Sequence, residues 1–253
     1  MLIASRSFNE KAYCSIYGYG GGSLEKILLQ LRASGKIGIT NEQIAILKGV
    51  ASVETGGQVQ SINTWDSAVV SFGFMQWILR YGEFQKLIEK APGAFSEYGI
   101  ELGGQYKFGN NKPVPGIKGV SDPRNLRFGE WPDRFFAAGK DPRIIEVETI
   151  MAIAELNAFM KKLQDKFGRG LSDHFRSPVT VSLLFELNNN RPAYVNKVVI
   201  DTLQQIKGKS LSDSDFNNIL KKEIINEYLI RENDGAKGQR LTDKIMNTLG
   251  VRT

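Results

Sequence analysis

The segment DPRIIEVETIMAIAELNAFMKKL, Asp141 to Leu163, restricts the fold more than any other part of the chain. A proline suits the first turn of a helix, because its φ is already helical and its missing N–H has no partner to lose there, and the apolar residues that follow recur at helical spacing. A long helix is predicted. Ser177 and Pro178 open SPVTVSLLFELNN in the same manner, Thr40 and Gln43 have capping-box spacing ahead of ITNEQIAILKGVASVE, and Ser23 can cap SLEKILLQLRASG, which Gly35 ends. Further helices are expected over Ala193 to Ile206, Asp215 to Ile230 and Arg240 to Leu249. Strand signals are weak throughout, so the expected class is mainly α.

Between Gly99 and Pro142 the texture changes. Five of the eight prolines (Pro113, Pro115, Pro123, Pro132 and Pro142) fall here, among glycines and the aromatics Tyr106, Phe108, Phe128 and Trp131. A long stretch of this kind inside a compact domain often serves as a lid or cleft wall, and the aromatics predict a packed lobe, loop-rich or with a small sheet. Residues 1–22 are expected to be an N-terminal segment or hinge ahead of one main domain at 23–253. Across their end GYGGGSLEK, Gly18 to Lys26, imitates a phosphate-binding loop, but Ser23 takes the last glycine position of G-x-G-x-x-G and no lysine–threonine pair follows.

With 253 residues and 42% hydrophobic side chains, the chain can bury a core unaided. No apolar run approaches the roughly 20 residues of a membrane span, and the first residues lack the basic start and unbroken apolar stretch of a secretory signal. Cys14 is the single cysteine and His174 the single histidine, which excludes an intramolecular disulfide and a Cys/His metal cluster; no metal and no cofactor are expected. A net charge of +6 and a pI near 9.3 favour a polyanionic partner. The basic cluster Lys161, Lys162, Lys166 and Arg169 reads as a solvated helix face, and His174 as a surface or capping residue.

The stretch ETGGQVQSINTWDSAVVSFGFMQW, Glu54 to Trp77, is richest in chemistry. At 100° per residue Ile44, Leu47, Val50 and Ala51 share one helix face, and Glu54 falls on the same stripe. Gly56 and Gly57 stop the helix, which leaves Glu54 in the last turn beside the partial negative charge of the carbonyl ends. Burial and dipole both raise the pKa of a carboxyl, as a general acid requires; a glutamate turned outward at a fraying helix end fits the same pattern. Asp66 follows twelve residues later, and paired carboxylates are the usual equipment for cutting a glycosidic bond, although an aspartate here can equally cap a turn. In VVSFGFMQW, Gly73 allows close backbone approach, and Gln76 offers an amide beside Phe72, Phe74 and Trp77, groups suited to sugar faces and N-acetyl amides.

Glu54-Thr55 at a helix end, with Gly73-Phe74-Met75-Gln76 beginning nineteen residues after Glu54, resembles the lysozyme-like superfamily. The likeness is to goose-type lysozymes and soluble lytic transglycosylases, with their E-[ST] and G-[LIF]-M-Q motifs. The resemblance implies a lysozyme-like helical domain with a lobe forming a cleft, and cleavage of the peptidoglycan glycan strand with Glu54 as the catalytic acid; a chitosanase-like glycosidase and a non-catalytic wall-glycan-binding module of a phage or secretion assembly are the alternative expectations. It also implies that Thr55 and Gln76 position the acid and the sugar, and it makes Asp66, shortly before the GFMQ turn, the second carboxylate. A further family motif, A-Y-N-A-G, has a partial echo in LLFELNNNRPAYV. Asn188 would stand for its asparagine, Leu187 replaces its tyrosine, Tyr194 is the nearby hydroxyl, and Asn190 would keep the left-handed turn of its glycine. The implied partner is the glycan strand, bound by a monomer, with no nucleic acid and no membrane insertion. Without a visible signal, delivery to the wall by a holin, a virion or a secretion apparatus is expected.

Overall fold

The computed structural model describes residues 2–8, 13–64, 67–168, 171 and 173–251, with side chains from residue 20 onward. The chain divides into two compact units, Met1–Gly38 with Glu54–Ala152 and Ile39–Val53 with Ile153–Thr253. Its regular structure is mainly helical, as expected.

The first unit holds an antiparallel sheet in the order β1 (Leu2–Phe8), β2 (Tyr13–Ser23), β3 (Gln58–Asn63), β4 (Ser71–Phe72) and β5 (Trp77–Ile78). The described residues of the expected N-terminal segment or hinge thus form two paired strands. Gly-rich GYGGGS has little strand propensity, yet the ladder to β3 holds it extended. The register shifts between Gly20 and Ser23, where Gly21 and Gly22 adopt φ 78° and 91°. A side chain at Gly21 would meet the Val59 Cγ1 at 2.8 Å. Strand β3 is buried from Val59 to Asn63, as the middle strand of a covered sheet should be.

The apolar side of this unit is organised by phenylalanines. Phe72 of β4 stacks on Phe84 of α3 (Glu83–Lys90) at 4.9 Å. Phe84 in turn meets Phe95 of α4 (Pro92–Ser96) and Phe135 of α5 (Trp131–Ala138) edge-on at 5.8 and 5.5 Å. All four rings are fully buried, and edge-on pairs at this spacing add about 0.5–1.5 kcal/mol each beyond their burial. The proline-rich insert is a packed lobe of hairpin β6 (Leu102–Tyr106) and β7 (Val114–Ile117), a 3-10 turn over Pro123–Arg127, and α5. Tyr106, 2% exposed, closes the hairpin by accepting the Ile117 N–H on its hydroxyl at 3.0 Å.

The second unit is built on α7 (Pro178–Asn190), α8 (Pro192–Ile206), α9 (Asp213–Glu232) and α10 (Gly235–Thr248), with most of α2 (Asn41–Thr55) and the distal part of α6 (Pro142–Phe167). Two of the capping signals read from sequence, at Thr40 with Gln43 and at Ser177, are present as hydrogen bonds, whereas Ser23 precedes α1 (Leu24–Ala33) without a side-chain capping bond. Thr40 and Gln43 exchange N–H to side-chain oxygen bonds of 3.0 and 3.1 Å, and the Ser177 hydroxyl accepts the Thr180 N–H at 3.3 Å. Helix α9 begins two residues before the expected Asp215, because Ser212 caps it by accepting the Asp215 N–H. Gly49 lies mid-helix in α2 because a Cβ there would sit 2.7 Å from the Ser182 Oγ of α7. Among the described residues no helix is long and apolar enough to cross a membrane.

Replacing Thr40 by alanine removes one of the two capping bonds and leaves the other, so the expected loss is about 1 kcal/mol, read as a lower denaturant midpoint at unchanged slope.

Candidate active site

Helix α2 ends where the sequence predicts. Gly56 and Gly57 take φ 64° and 78°, and Glu54 stands half-buried in the last turn. Thr55 is fully buried and its Oγ1 donates to the Gln58 carbonyl at 2.7 Å, so this hydroxyl ties the helix end to the start of β3. Ser61 lies three residues further on, about 10 Å along the strand.

Ser61 is where β3 meets the GFMQ turn. Its carbonyl accepts the Gly73 N–H at 2.9 Å, and its Oγ accepts the Gln76 amide at 2.9 Å. The same Gln76 amide nitrogen reaches the Gly73 carbonyl at 2.9 Å, while the Gln76 backbone N–H donates to that carbonyl at 3.1 Å. Because a carbonyl can only accept, the side-chain atom facing it must be the NH2 group, and this fixes the amide's orientation. The Gln76 Oε1 has no hydrogen bond among the described residues. It is an acceptor carried by a half-buried side chain.

Two residues around this turn hold unusual backbone conformations. Gln76 has φ 55° and Val69 φ 71°; for a β-branched residue the left-handed region is a true outlier. Each costs of order 1–3 kcal/mol and persists only where the surroundings over-determine it, which happens most often at functional sites.

The surroundings are supplied by Glu148 on α6. It is completely buried, and its Oε1 accepts the Met75 N–H at 3.2 Å and the Trp77 indole N–H at 3.1 Å. The Phe74 N–H also bears on the carboxyl. Burial pushes the Glu148 carboxyl up to about 8, against the opposing pull of these three N–H groups. It is therefore mostly neutral at pH 7, and its Oε2 has no hydrogen-bond partner among the described residues. Gly73, at φ 72°, lies directly beneath: a Cβ there would be 2.1 Å from Oε1 and 2.5 Å from Oε2. The glycine thus makes room for a protein carboxyl, rather than for the ligand that the sequence suggests.

Phe74 and Trp77 are 0% and 3% exposed, which makes their rings part of the core and leaves Gln76 as the polar side chain that the motif presents. Asp66 lies outside the described residues. Asn188 and Tyr194 belong to the second unit, where Asn188 is half-buried near the end of α7 and the Tyr194 hydroxyl donates to Glu232 Oε1 at 2.9 Å. Asn190 is not a left-handed residue: it remains in α7, its amide bonded to Glu186 Oε1 at 2.7 Å. The helix breaks at Arg191, where the following Pro192 disfavours helical backbone.

Glu148 escaped the sequence reading, although its signal was available. It lies on the α6 stripe of Ile144, Ile145, Met151 and Ala152, the pattern that singled out Glu54. Compared with protein-family models, curated proteins and solved structures, the chain finds no match.

Gly73→Ala must displace the carboxyl and hold φ 72° with a side chain, so it is expected to cost roughly 3 kcal/mol or more in unfolding free energy, or to prevent folding. The pH dependence of stability has a definite sign. A carboxyl raised from 4.5 to about 8 in the folded state stabilises fully below pH 4.5 and loses that contribution as pH rises to about 8. Denaturation midpoints of the wild type should therefore fall across this window relative to Glu148→Gln, which has nothing to ionise there.

Proposed function

We propose that this chain is a glycosidase that cuts the β-1,4 MurNAc–GlcNAc backbone of peptidoglycan by general acid catalysis, as a muramidase or a lytic transglycosylase, on a lysozyme-like helical domain with a cleft. One observation carries the reading: the Glu54 helix end and the GFMQ turn, two motifs apart in sequence, are joined through β3, with Thr55 bonded to its first residue and Gly73 and Gln76 both bonded to Ser61. The left-handed backbone at Val69 and Gln76 supports a functional rather than a purely structural turn.

In this reading Glu54 protonates the leaving oxygen as the glycosidic bond breaks toward an oxocarbenium-like state. The Gln76 Oε1 accepts an N-acetyl N–H or a sugar hydroxyl, since an oxygen without a donor of its own can do nothing else. Asp66 then activates water or stabilises the cation. If the sugar's own 6-hydroxyl closes an anhydro ring instead, Glu54 returns as base and Asp66 is not required. Asn188 and Tyr194 are further sugar-binding residues in this reading. The net charge of +6 suits a wall whose peptide stems and polymers are anionic. The enzyme works as a monomer, without metal or cofactor, after delivery to the wall by a holin, a virion or a secretion apparatus.

Glu54→Gln should clear purified wall suspensions about 10²–10⁴-fold more slowly than the wild type, the usual contribution of a general acid. Equal clearing by both proteins removes Glu54 from the chemistry, and wall binding without clearing by either points to a non-catalytic wall module. Mass spectrometry of the fragments then separates anhydro ends from reducing ends.

A further inference from the structure

Gln76 sits between two residues tied to the same atom. Met75 through its backbone N–H and Trp77 through its indole N–H both donate to Glu148 Oε1, which brackets Gln76 on either side. The carboxyl comes from α6, more than seventy residues along the chain, on a stripe whose other members are Ile144, Ile145, Met151 and Ala152. An aliphatic side chain would be the cheaper occupant of such a stripe, because a buried carboxyl with one oxygen unpartnered is costly. A carboxyl at this place makes sense through what it holds. Without Oε1, the Met75 amide and the Trp77 indole would be buried donors lacking their acceptor, and Gln76 would have only its own bonds to Gly73 and Ser61 to hold it at φ 55° against its intrinsic preference. Gly73 completes the fit, since the carboxyl fills the space of its absent Cβ.

We propose that Glu148 is a positioning residue for Gln76: it locks the turn through the residues on both sides and so aims the Gln76 amide oxygen outward, toward a ligand donor. This rests on the glycosidase reading only for the identity of that donor, an amide N–H or hydroxyl of the glycan.

The test uses Glu148→Gln and Glu148→Met in the full chain. In Glu148→Gln an amide oxygen keeps the place of Oε1; Glu148→Met fills the space and offers no acceptor. Two nuclear magnetic resonance signals report the geometry without any activity: the Trp77 indole N–H and the Gln76 side-chain NH2 pair, assigned by loss in Trp77→Phe and Gln76→Glu. Glu148→Gln should retain both signals and clear walls within about threefold of the wild type. Glu148→Met should move the Gln76 pair toward the positions of a free amide and slow clearing by about tenfold or more, since misplacement of about 1 Å can cost 10²-fold. Unchanged Gln76 and Trp77 signals in Glu148→Met overturn the inference whatever the activity. A wild type that clears nothing removes the glycosidase reading and leaves the resonances to decide. Should Glu148→Met fail to fold, Trp77→Phe replaces it, since it removes one of the two donors that Glu148 holds: the Gln76 pair should move toward the positions of a free amide, and an unmoved pair overturns the inference.

Discussion

A carboxyl group shut away from water needs partners, and those of Glu148 are the N–H groups of a single turn. From that constraint the rest of the first unit's candidate site follows. The Met75 and Trp77 donors are drawn to one oxygen, the chain beneath must lack a Cβ, and the residue between the two donors is left in a left-handed conformation. Phe72, just before the turn, is anchored in the phenylalanine cluster of α3, α4 and α5, so the turn is held by packing on one side and by the buried acid on the other.

The two parts of the site are joined by a strand. Gly56 and Gly57 end α2 and turn the chain into β3, and the Thr55 hydroxyl fixes the angle of that exit. Ser61 then offers its carbonyl to Gly73 and its hydroxyl to Gln76. A mainly helical protein thereby places its candidate site around a short sheet, where backbone groups leave ladder positions and can hold a turn in an uncommon shape.

The helices were legible because their signals are local. A capping hydroxyl, a proline in the first turn and an apolar stripe act within a few residues, and the caps at Thr40 and Ser177 appear as the bonds those residue types can make. The sheet was not legible, since β4 and β5 are two residues each, too short to show alternation, and β2 runs through glycines that mimic a hinge. Phe74 and Trp77 illustrate the same limit within the site: aromatic rings beside a glutamine suit a sugar or a core equally, and only packing distinguishes the two.

By itself the sequence determined the mainly helical class, the ends of α2, α7 and α8 to within a residue or so, the place of Glu54 in a last helical turn and the packed proline-rich lobe. Tertiary structure decided that Gly73 is a glycine on account of a carboxyl, that the Gln76 amide nitrogen is tied to Ser61 and Gly73, and that Asn190 stays helical. The division has one physical cause. Caps and stripes depend on neighbours within about one helical turn, whereas the shape of the GFMQ turn depends on an acid more than seventy residues away, and no local pattern records which distant side chain will fill the space above a glycine.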